Sequence, residues 1–311
     1  MKIVFFGSPA SSIPSLLRLI EEGHQIALII TQPDKPSGRG KKLTQSPVKK
    51  IAIKKGIPVY QPERIKFDQI AKEKIQKIKP DLNIVVAYGQ IIPLSILETP
   101  KHQSINVHFS LLPKYRGASP VQWTLLNGEK TTGITIFKLN EKMDEGDIFS
   151  KVETDIHPYE NAGELEARLS TIGAELLVKT IANLKNIRTY KQNHSQATYA
   201  PKLKKEDGQI DWHKDAKYID RHVRAFTPWP SAFSFFQGKR VIITMGKGIK
   251  EEVIHSANPG EILKIKKDGI EVCCGQGSVY LIESLRPENR KEMPAYSFSL
   301  GANIKPGDLL S

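Results

Sequence analysis

Cysteine is scarce in this chain. The 311 residues include only two cysteines, Cys273 and Cys274, and these are adjacent. Neighbouring residues of a strand point to opposite faces, so the pair neither matches metal-ligand spacing nor suggests a disulfide framework. We therefore expect no metal site, and the low cysteine content is typical of a reduced, cytoplasmic protein.

Long apolar runs are also missing. No stretch approaches the roughly 20 apolar residues that span a bilayer. The apolar run within residues 1–7 is shorter than that of a secretory signal peptide. A chain of 311 residues that is 39% hydrophobic can nevertheless form two domains with a substantial core. We predict a protein with no membrane partner.

The first glycine turn is incomplete as a dinucleotide-binding motif. A predicted strand over residues 2–6 is followed by Gly7, and a helical pattern begins soon after it. Residues 7–12 lack the second and third glycines of the motif G-x-G-x-x-G, which bring the backbone close to a pyrophosphate. We therefore expect no bound NAD.

Acidic residues are absent from residues 35–55, in a chain whose formal net charge is +13. This segment contains a set of basic residues: Lys35, Arg39, Lys41, Lys42, Lys49, Lys50, Lys54 and Lys55. Its first part, within residues 32–46, combines proline, glycine and lysine, which predicts a long loop without a packed element. The block is typical of a polyanion-binding protein; a solvated lysine-rich surface is the alternative.

The order of the patterns predicts two domains. Strand patterns over residues 2–6, 25–31 and 81–87 alternate with helical ones, which favours a Rossmann-like, mostly parallel sheet in residues 1–187. Residues 188–207 are polar and weakly periodic, and we interpret them as a linker. Five short apolar runs in residues 208–311 predict a small antiparallel β-barrel of the oligonucleotide-binding (OB-like) type. A β-sandwich fits this pattern nearly as well.

Residues 104–120 contain the strongest candidate site. Ile105, Val107 and Phe109 alternate with Asn106 and His108, which predicts a strand with both polar side chains on one face. An amide can stabilise an oxyanion and an imidazole can carry a proton, as acyl transfer requires. The alternative is an ordinary half-solvated strand. The break and basic turn that follow favour a site, because loops after strands of α/β sheets usually bind ligands.

Residues 140–147 form a turn with four carboxylates: Glu141, Asp144, Glu145 and Asp147. Such a turn is often only a turn. A carboxylate delivered from it could also orient the His108 imidazole, which is the usual third group of acyl-transfer sites. Spacing alone does not select one of the four.

Together, Asn106, His108, residues 110–113 and Asp144 resemble the folate-dependent formyltransferases. The resemblance covers essentially the whole chain and includes the basic loop and the second domain. It implies that Asn106 holds the formyl oxygen, that His108 assists at the tetrahedral intermediate and that Asp144 orients His108. It also implies a folate pocket lined by Ser110, Leu111, Leu112 and Pro113, and by the backbone of Val86, Ala87, Tyr88 and Gly89.

The resemblance further implies the substrates. 10-Formyltetrahydrofolate would donate its formyl group as a cosubstrate to the α-amino group of methionine on initiator tRNA. The acceptor stem would be contacted by Arg39, Lys41 and Lys42, with residues 208–311 also binding tRNA, and the enzyme is expected to be a monomer. Two alternatives stay open: a formyltransferase for a small amine or nucleotide sugar, and a noncatalytic RNA-binding protein.

Overall fold

A computed structural model describes residues 1–37, 42–249 and 257–311. The described chain divides into two compact units. The first unit contains residues 1–120, 131–155 and 166–201, and the second contains residues 121–130, 156–165 and 202–311. Each unit is described by itself below.

The helices and strands follow one another along the chain as follows. Up to residue 201 they are β1 (Lys2–Gly7), α1 (Ile13–Glu21), β2 (Gln25–Ile30), β3 (Lys35–Ser37), β4 (Lys42–Thr44), α2 (Pro47–Lys54), β5 (Val59–Tyr60), α3 (Gln69–Ile78), β6 (Leu82–Val86), α4 (Leu94–Leu97), β7 (Gln103–His108), β8 (Arg116–Gly117), α5 (Pro120–Leu126), β9 (Thr131–Lys138), β10 (Ile148–Asp155), α6 (Ala162–Ala182) and β11 (Tyr199–Ala200). The later ones are α7 (Ala216–Phe226), β12 (Phe233–Phe236), β13 (Lys239–Ile249), β14 (Ile262–Lys266), β15 (Gly269–Cys273), β16 (Val279–Pro287), β17 (Met293–Pro294) and α8 (Ala295–Ala302).

The first unit is built on a seven-stranded sheet in the order β10-β9-β7-β6-β1-β2-β5. Strands β5, β2, β1, β6 and β7 are parallel, and β9 and β10 continue the sheet in antiparallel pairing. The predicted mostly parallel sheet is confirmed. After β1, the chain adds β2 and β5 on one side of β1 and then adds β6 on the opposite side of β1. In such sheets ligands usually bind outside the carboxyl ends of the strands where the order reverses, here β1 and β6.

Local signals explain where two helices of this unit begin. The Ser46 hydroxyl accepts a hydrogen bond from the Lys49 amide at 3.1 Å, with proline in the first turn of α2. The Asp68 carboxylate accepts one from the Ala71 amide at 2.7 Å, so α3 begins after it. Side-chain caps of this kind satisfy backbone donors that have no partner within the helix.

The basic segment differs from its prediction. Instead of a loop without any packed element, residues 35–44 contain β3 and β4, which pair as an antiparallel hairpin. Lys35 is opposite Thr44 and Pro36 is opposite Leu43. Leu43 remains 74% exposed, so the hairpin is held by backbone pairing and buries little apolar surface. Proline is compatible with a two-stranded ribbon because both of its strands are edges.

The second unit contains a six-stranded antiparallel sheet, in which β12, β13, β16, β15 and β14 follow one another and β17 pairs with β16. All five predicted strands are present. Leu310 forms a bridge to Phe236 on β12, and Leu309 forms one to Glu261 beside β14. The last residues thus join both outer strands, which fits a barrel better than a sandwich. Among the described residues, no helix is both long enough and apolar enough to cross a membrane.

Candidate active site

Strand β7 places Asn106 and His108 on the same face of the first unit's sheet. Their neighbours on β9 are Phe137 and Thr135, respectively. The opposite face of β7 is covered by α6, since a Cβ atom on Gly173 would lie 3.0 Å from the Val107 Cγ1 atom. Asn106 is half-buried, whereas His108 is 5% exposed. The predicted alternation of core and polar side chains along this strand is confirmed.

The His108 ring is held between a backbone carbonyl and a carboxylate. Its Nε2 atom lies 2.9 Å from the Tyr115 carbonyl oxygen, and its Nδ1 atom lies 3.7 Å from Asp144 Oδ2. The ring also meets Phe137 edge to face, with centroids 6.3 Å apart. A carbonyl can only accept a hydrogen bond, so Nε2 carries a proton. Nδ1 is therefore the ring nitrogen that can exchange a proton with Asp144 or with a substrate.

Asp144 is fixed by the backbone of the segment after β7. Its Oδ2 atom accepts a hydrogen bond from the Gly117 amide at 2.7 Å, and its side chain is 12% exposed. A side chain at Gly117 is excluded, because its φ is +123° and a Cβ atom would lie 2.6 Å from the Ala200 carbonyl oxygen. The structure places Asp144, the carboxylate that the family resemblance names, beside His108, and its role stays a prediction. The neighbouring Glu145 pairs instead with Arg116, at 3.3 Å.

The expected folate segment, residues 110–113, folds beside His108. The hydroxyl of Thr135, the β9 partner of His108, donates to the Ser110 carbonyl at 2.7 Å and accepts from the Leu112 amide at 3.0 Å. The Lys151 ammonium donates to the Leu112 carbonyl, and burial lowers the pKa of Lys151 below its usual value. Ser110 and Leu112 are fully buried. Leu111 and Pro113 are half-buried, so they offer the side-chain surface for a ligand.

Sequence reasoning missed Thr135 and Lys151. Both belong to predicted strand patterns, and only the pairing of β9 with β7 and β10 brings them to this segment.

The second expected folate segment follows β6. Val86 and Tyr88 are buried, and the Tyr88 ring packs edge to face on Phe6 with centroids 5.6 Å apart. Ala87 and Gly89 are exposed and have φ angles of 48° and 79°. This segment therefore offers its backbone at the carboxyl end of β6, next to β1. A pterin, which carries several donors and acceptors at its edge, can be recognised in this way.

The expected tRNA contacts are only partly described. Arg39 and Lys41 lie outside the described residues, and Lys42 is the first residue of β4. The base of the hairpin is held by Asp34, whose carboxylate lies 2.6 Å from the Lys49 ammonium and accepts from Gln61 Nε2 at 2.8 Å. The hydrogen bond from Lys49 lowers the pKa of Asp34.

A metal centre is not apparent in the described part of the chain. Residues 1–37, 42–249 and 257–311 contain no group of three or more histidine, cysteine and carboxylate side chains that could hold a metal ion.

The sequence is similar to known formyltransferases along nearly all of its length. Residues 1–181 match the family model described as formyl transferase, and residues 202–303 match the model described as formyl transferase, C-terminal domain. A methionyl-tRNA formyltransferase of Alkaliphilus oremlandii is 45% identical, with 100% of this chain and 99% of the relative covered.

Solved structures share the fold at lower identity. HypX from Aquifex aeolicus in complex with tetrahydrofolic acid has a TM-score of 0.65 and 18% identity; 96% of this chain is covered, but the chain spans only 47% of HypX. An N-formyltransferase from Helicobacter canadensis, in complex with folinic acid and dTDP-3-aminofucose, has a TM-score of 0.64 and 19% identity, covering 91% of this chain and 98% of the other.

Proposed function

The chain belongs to the formyl transferase family, and we propose that it transfers the formyl group of 10-formyltetrahydrofolate to the α-amino group of methionine on initiator tRNA. The methionyl-tRNA formyltransferases to which it is similar over nearly its whole length support this reaction. The observation that carries the proposal is the 3.7 Å approach of Asp144 to His108, on the strand face that also bears Asn106.

Three side chains are sufficient for this chemistry. A neutral amine attacks the formyl carbon directly, so the site must orient the reactants, stabilise the oxyanion and move a proton, and it needs no covalent intermediate. The Asn106 amide donates to the oxygen on which negative charge develops. The Nδ1 atom of His108, paired with Asp144, assists proton transfer from the attacking nitrogen to the leaving folate nitrogen.

The folate donor is assigned to the two segments beside this triad. The exposed backbone at Ala87 and Gly89 and the half-buried side chains of Leu111 and Pro113 form its proposed contacts. The relative HypX, which shares the fold, is described in complex with tetrahydrofolic acid, and this supports a folate as the ligand class.

The tRNA is assigned to the basic hairpin and to the second domain. Three cations of the hairpin region would contact phosphates near the acceptor end, namely Arg39, Lys41 and Lys42. Catalysis is assigned to residues 1–187 and additional tRNA binding to residues 208–311. Because the three triad residues come from one chain, we assign the activity to a monomer, and we assign the reaction to the cytoplasm.

The test measures transfer of a labelled formyl group. The protein is incubated with labelled 10-formyltetrahydrofolate and one of three acceptors: methionyl initiator tRNA, methionyl elongator tRNA or a nucleotide amino sugar. We expect label on the initiator tRNA far faster than on the other two, and His108→Ala should abolish most of the transfer. Label on the amino sugar alone would support a small-amine formyltransferase. Tight tRNA binding without any transfer would support a noncatalytic RNA-binding protein.

A further inference from the structure

Arg116 is a buried cation whose side chain contacts the Asp144 turn and whose two sequence neighbours contact His108 and Asp144. The residue is 1% exposed. Its neighbours in sequence supply the two backbone groups that hold the triad: the Tyr115 carbonyl lies 2.9 Å from His108 Nε2, and the Gly117 amide donates to Asp144 at 2.7 Å. The position of Arg116 is therefore coupled to the positions of both His108 and Asp144.

Gln192 connects the Arg116 side chain to the turn that carries Asp144. Its amide nitrogen donates to the carbonyl oxygens of Asp144 and Gly146, at 2.7 and 2.8 Å. Its amide oxygen accepts from Arg116 Nε at 3.2 Å and from Nη2 at 2.8 Å. Both donors and both acceptor positions of the amide are thus used, which leaves one possible orientation of the side chain. Gln192 is 5% exposed, so water does not replace these bonds.

The same turn is held by an ion pair. Arg116 Nη1 lies 3.3 Å from Glu145 Oε1, next in sequence to Asp144. A buried guanidinium is unfavourable unless it is paired, so Arg116 and Glu145 stabilise each other's position. Asp144 itself has a φ of 53°, a left-handed conformation that non-glycine residues adopt uncommonly and that neighbouring contacts must maintain.

We propose that Arg116 and Gln192 are positioning residues that hold the Asp144 turn so that Oδ2 of its carboxylate faces His108 Nδ1. This inference rests on the proposed function, because it assumes that Asp144 acts with His108. It assigns a role to Gln192, which lies in the segment expected to be a linker, and to the side chain of Arg116. Neither touches the transferred group; both act through Asp144.

Gln192→Glu tests this arrangement with almost no change in shape. The variant keeps an oxygen for Arg116 but replaces the donating amide nitrogen by an oxygen that faces two carbonyl oxygens, so the turn is repelled. Gln196→Glu is the matched control, because it adds the same charge at an exposed position in the same segment. For each protein, kcat and the KM values for the folate donor and for charged tRNA are measured, together with thermal unfolding.

We expect Gln192→Glu to lower kcat about 10- to 100-fold, as for a displaced catalytic group, with both KM values changed less than about threefold. The decisive comparison repeats Gln192→Glu in an Asp144→Asn background. If Gln192 acts through the Asp144 carboxylate, Gln192→Glu should lower kcat by less than about threefold in the Asp144→Asn background. The reason is that the effects of residues that act as a unit are not additive. A loss caused only by weakened folding would recur in both backgrounds.

Several outcomes would overturn the inference. These are an unchanged kcat in Gln192→Glu, an equal loss in both backgrounds, or an equal loss in Gln196→Glu. If Gln192→Glu does not fold, Gln192→Leu and Arg116→Lys replace it with the same two backgrounds and the same criteria. Failure of the proposed function is distinct, because the wild-type protein would then transfer no label to methionyl initiator tRNA. A wrong triad is distinct as well, because Asp144→Asn and His108→Ala would then retain full activity.

Discussion

Replacing Thr135 by valine should loosen the segment that we assign to the folate donor. The Thr135 side chain is fully buried, and its hydroxyl bonds both the Ser110 carbonyl and the Leu112 amide. Valine has nearly the same shape but neither donates nor accepts a hydrogen bond. The substitution therefore leaves two backbone groups without this partner while the packing of β9 is preserved.

The size of the effect follows from those two bonds. A buried polar group that loses its partner costs about 1–3 kcal/mol. The Ser110 carbonyl and the Leu112 amide together would therefore cost about 2–6 kcal/mol if neither found a new partner. Relaxation of the segment towards water should recover part of this. We expect the free energy of unfolding to fall by about 2–3 kcal/mol, and the KM for the folate donor to rise about tenfold, because Leu111 and Pro113 lie in the displaced segment.

Urea unfolding and steady-state kinetics on the same preparations measure both quantities. Thr135→Ser is the matched control: it keeps the hydroxyl and loses only one methyl group, for which about 1 kcal/mol is expected. The reasoning is refuted if Thr135→Val unfolds at the same urea concentration as Thr135→Ser and has the wild-type KM for the folate donor.

Three further predictions concern the triad, the hairpin and the second unit. Asn106→Ala should cost on the order of 3 kcal/mol of transition-state stabilisation, as for a lost oxyanion donor. His108→Ala should lower the rate of formyl transfer about 10²- to 10⁴-fold. Near-normal activity of both folded variants would show that the site is assigned wrongly. If about five cations near the hairpin contact phosphates, the logarithm of tRNA affinity should fall with the logarithm of salt concentration at a slope of about −4. Replacing Arg39, Lys41 and Lys42 by neutral residues should make this slope shallower. A KM for tRNA that does not depend on salt would argue against these contacts. Burial lowers the pKa of His222 in the folded protein. As the pH falls below about 6.5, His222 is therefore protonated in the unfolded chain before it is protonated in the folded one. The free energy of unfolding should fall over this range by at most about 1.4 kcal/mol per pH unit. Urea unfolding of wild type and His222→Gln at pH 7.5 and 5.5 checks this, and equal losses in the two proteins would exclude His222 as the cause.

Much of the fold could be read from local patterns. The alternation of Ile105, Asn106, Val107 and His108 predicts one strand with a polar face, and that strand is observed as β7. Periodicity of this kind is visible in sequence because it reflects which face of a single element is buried.

The basic hairpin shows where that approach failed. Its proline, glycine and lysine content predicts a loop, yet β3 and β4 pair. Composition describes the preference of single residues for turns and misses backbone pairing between two short edge strands, which needs no apolar side chains.

The sequence by itself determined the two-domain plan, the polar face of β7 and the family, because these depend on local periodicity and on motifs. Asp144 was named by the family resemblance. Only the tertiary structure decided which ring nitrogen of His108 faces its carboxylate, and that Thr135, Lys151, Arg116 and Gln192 converge on the same site. The physical reason is that these contacts join residues on different elements. Their distances are set by the register of β7, β9 and β10 and by the return of residues 190–200 along β8, and no local pattern encodes either.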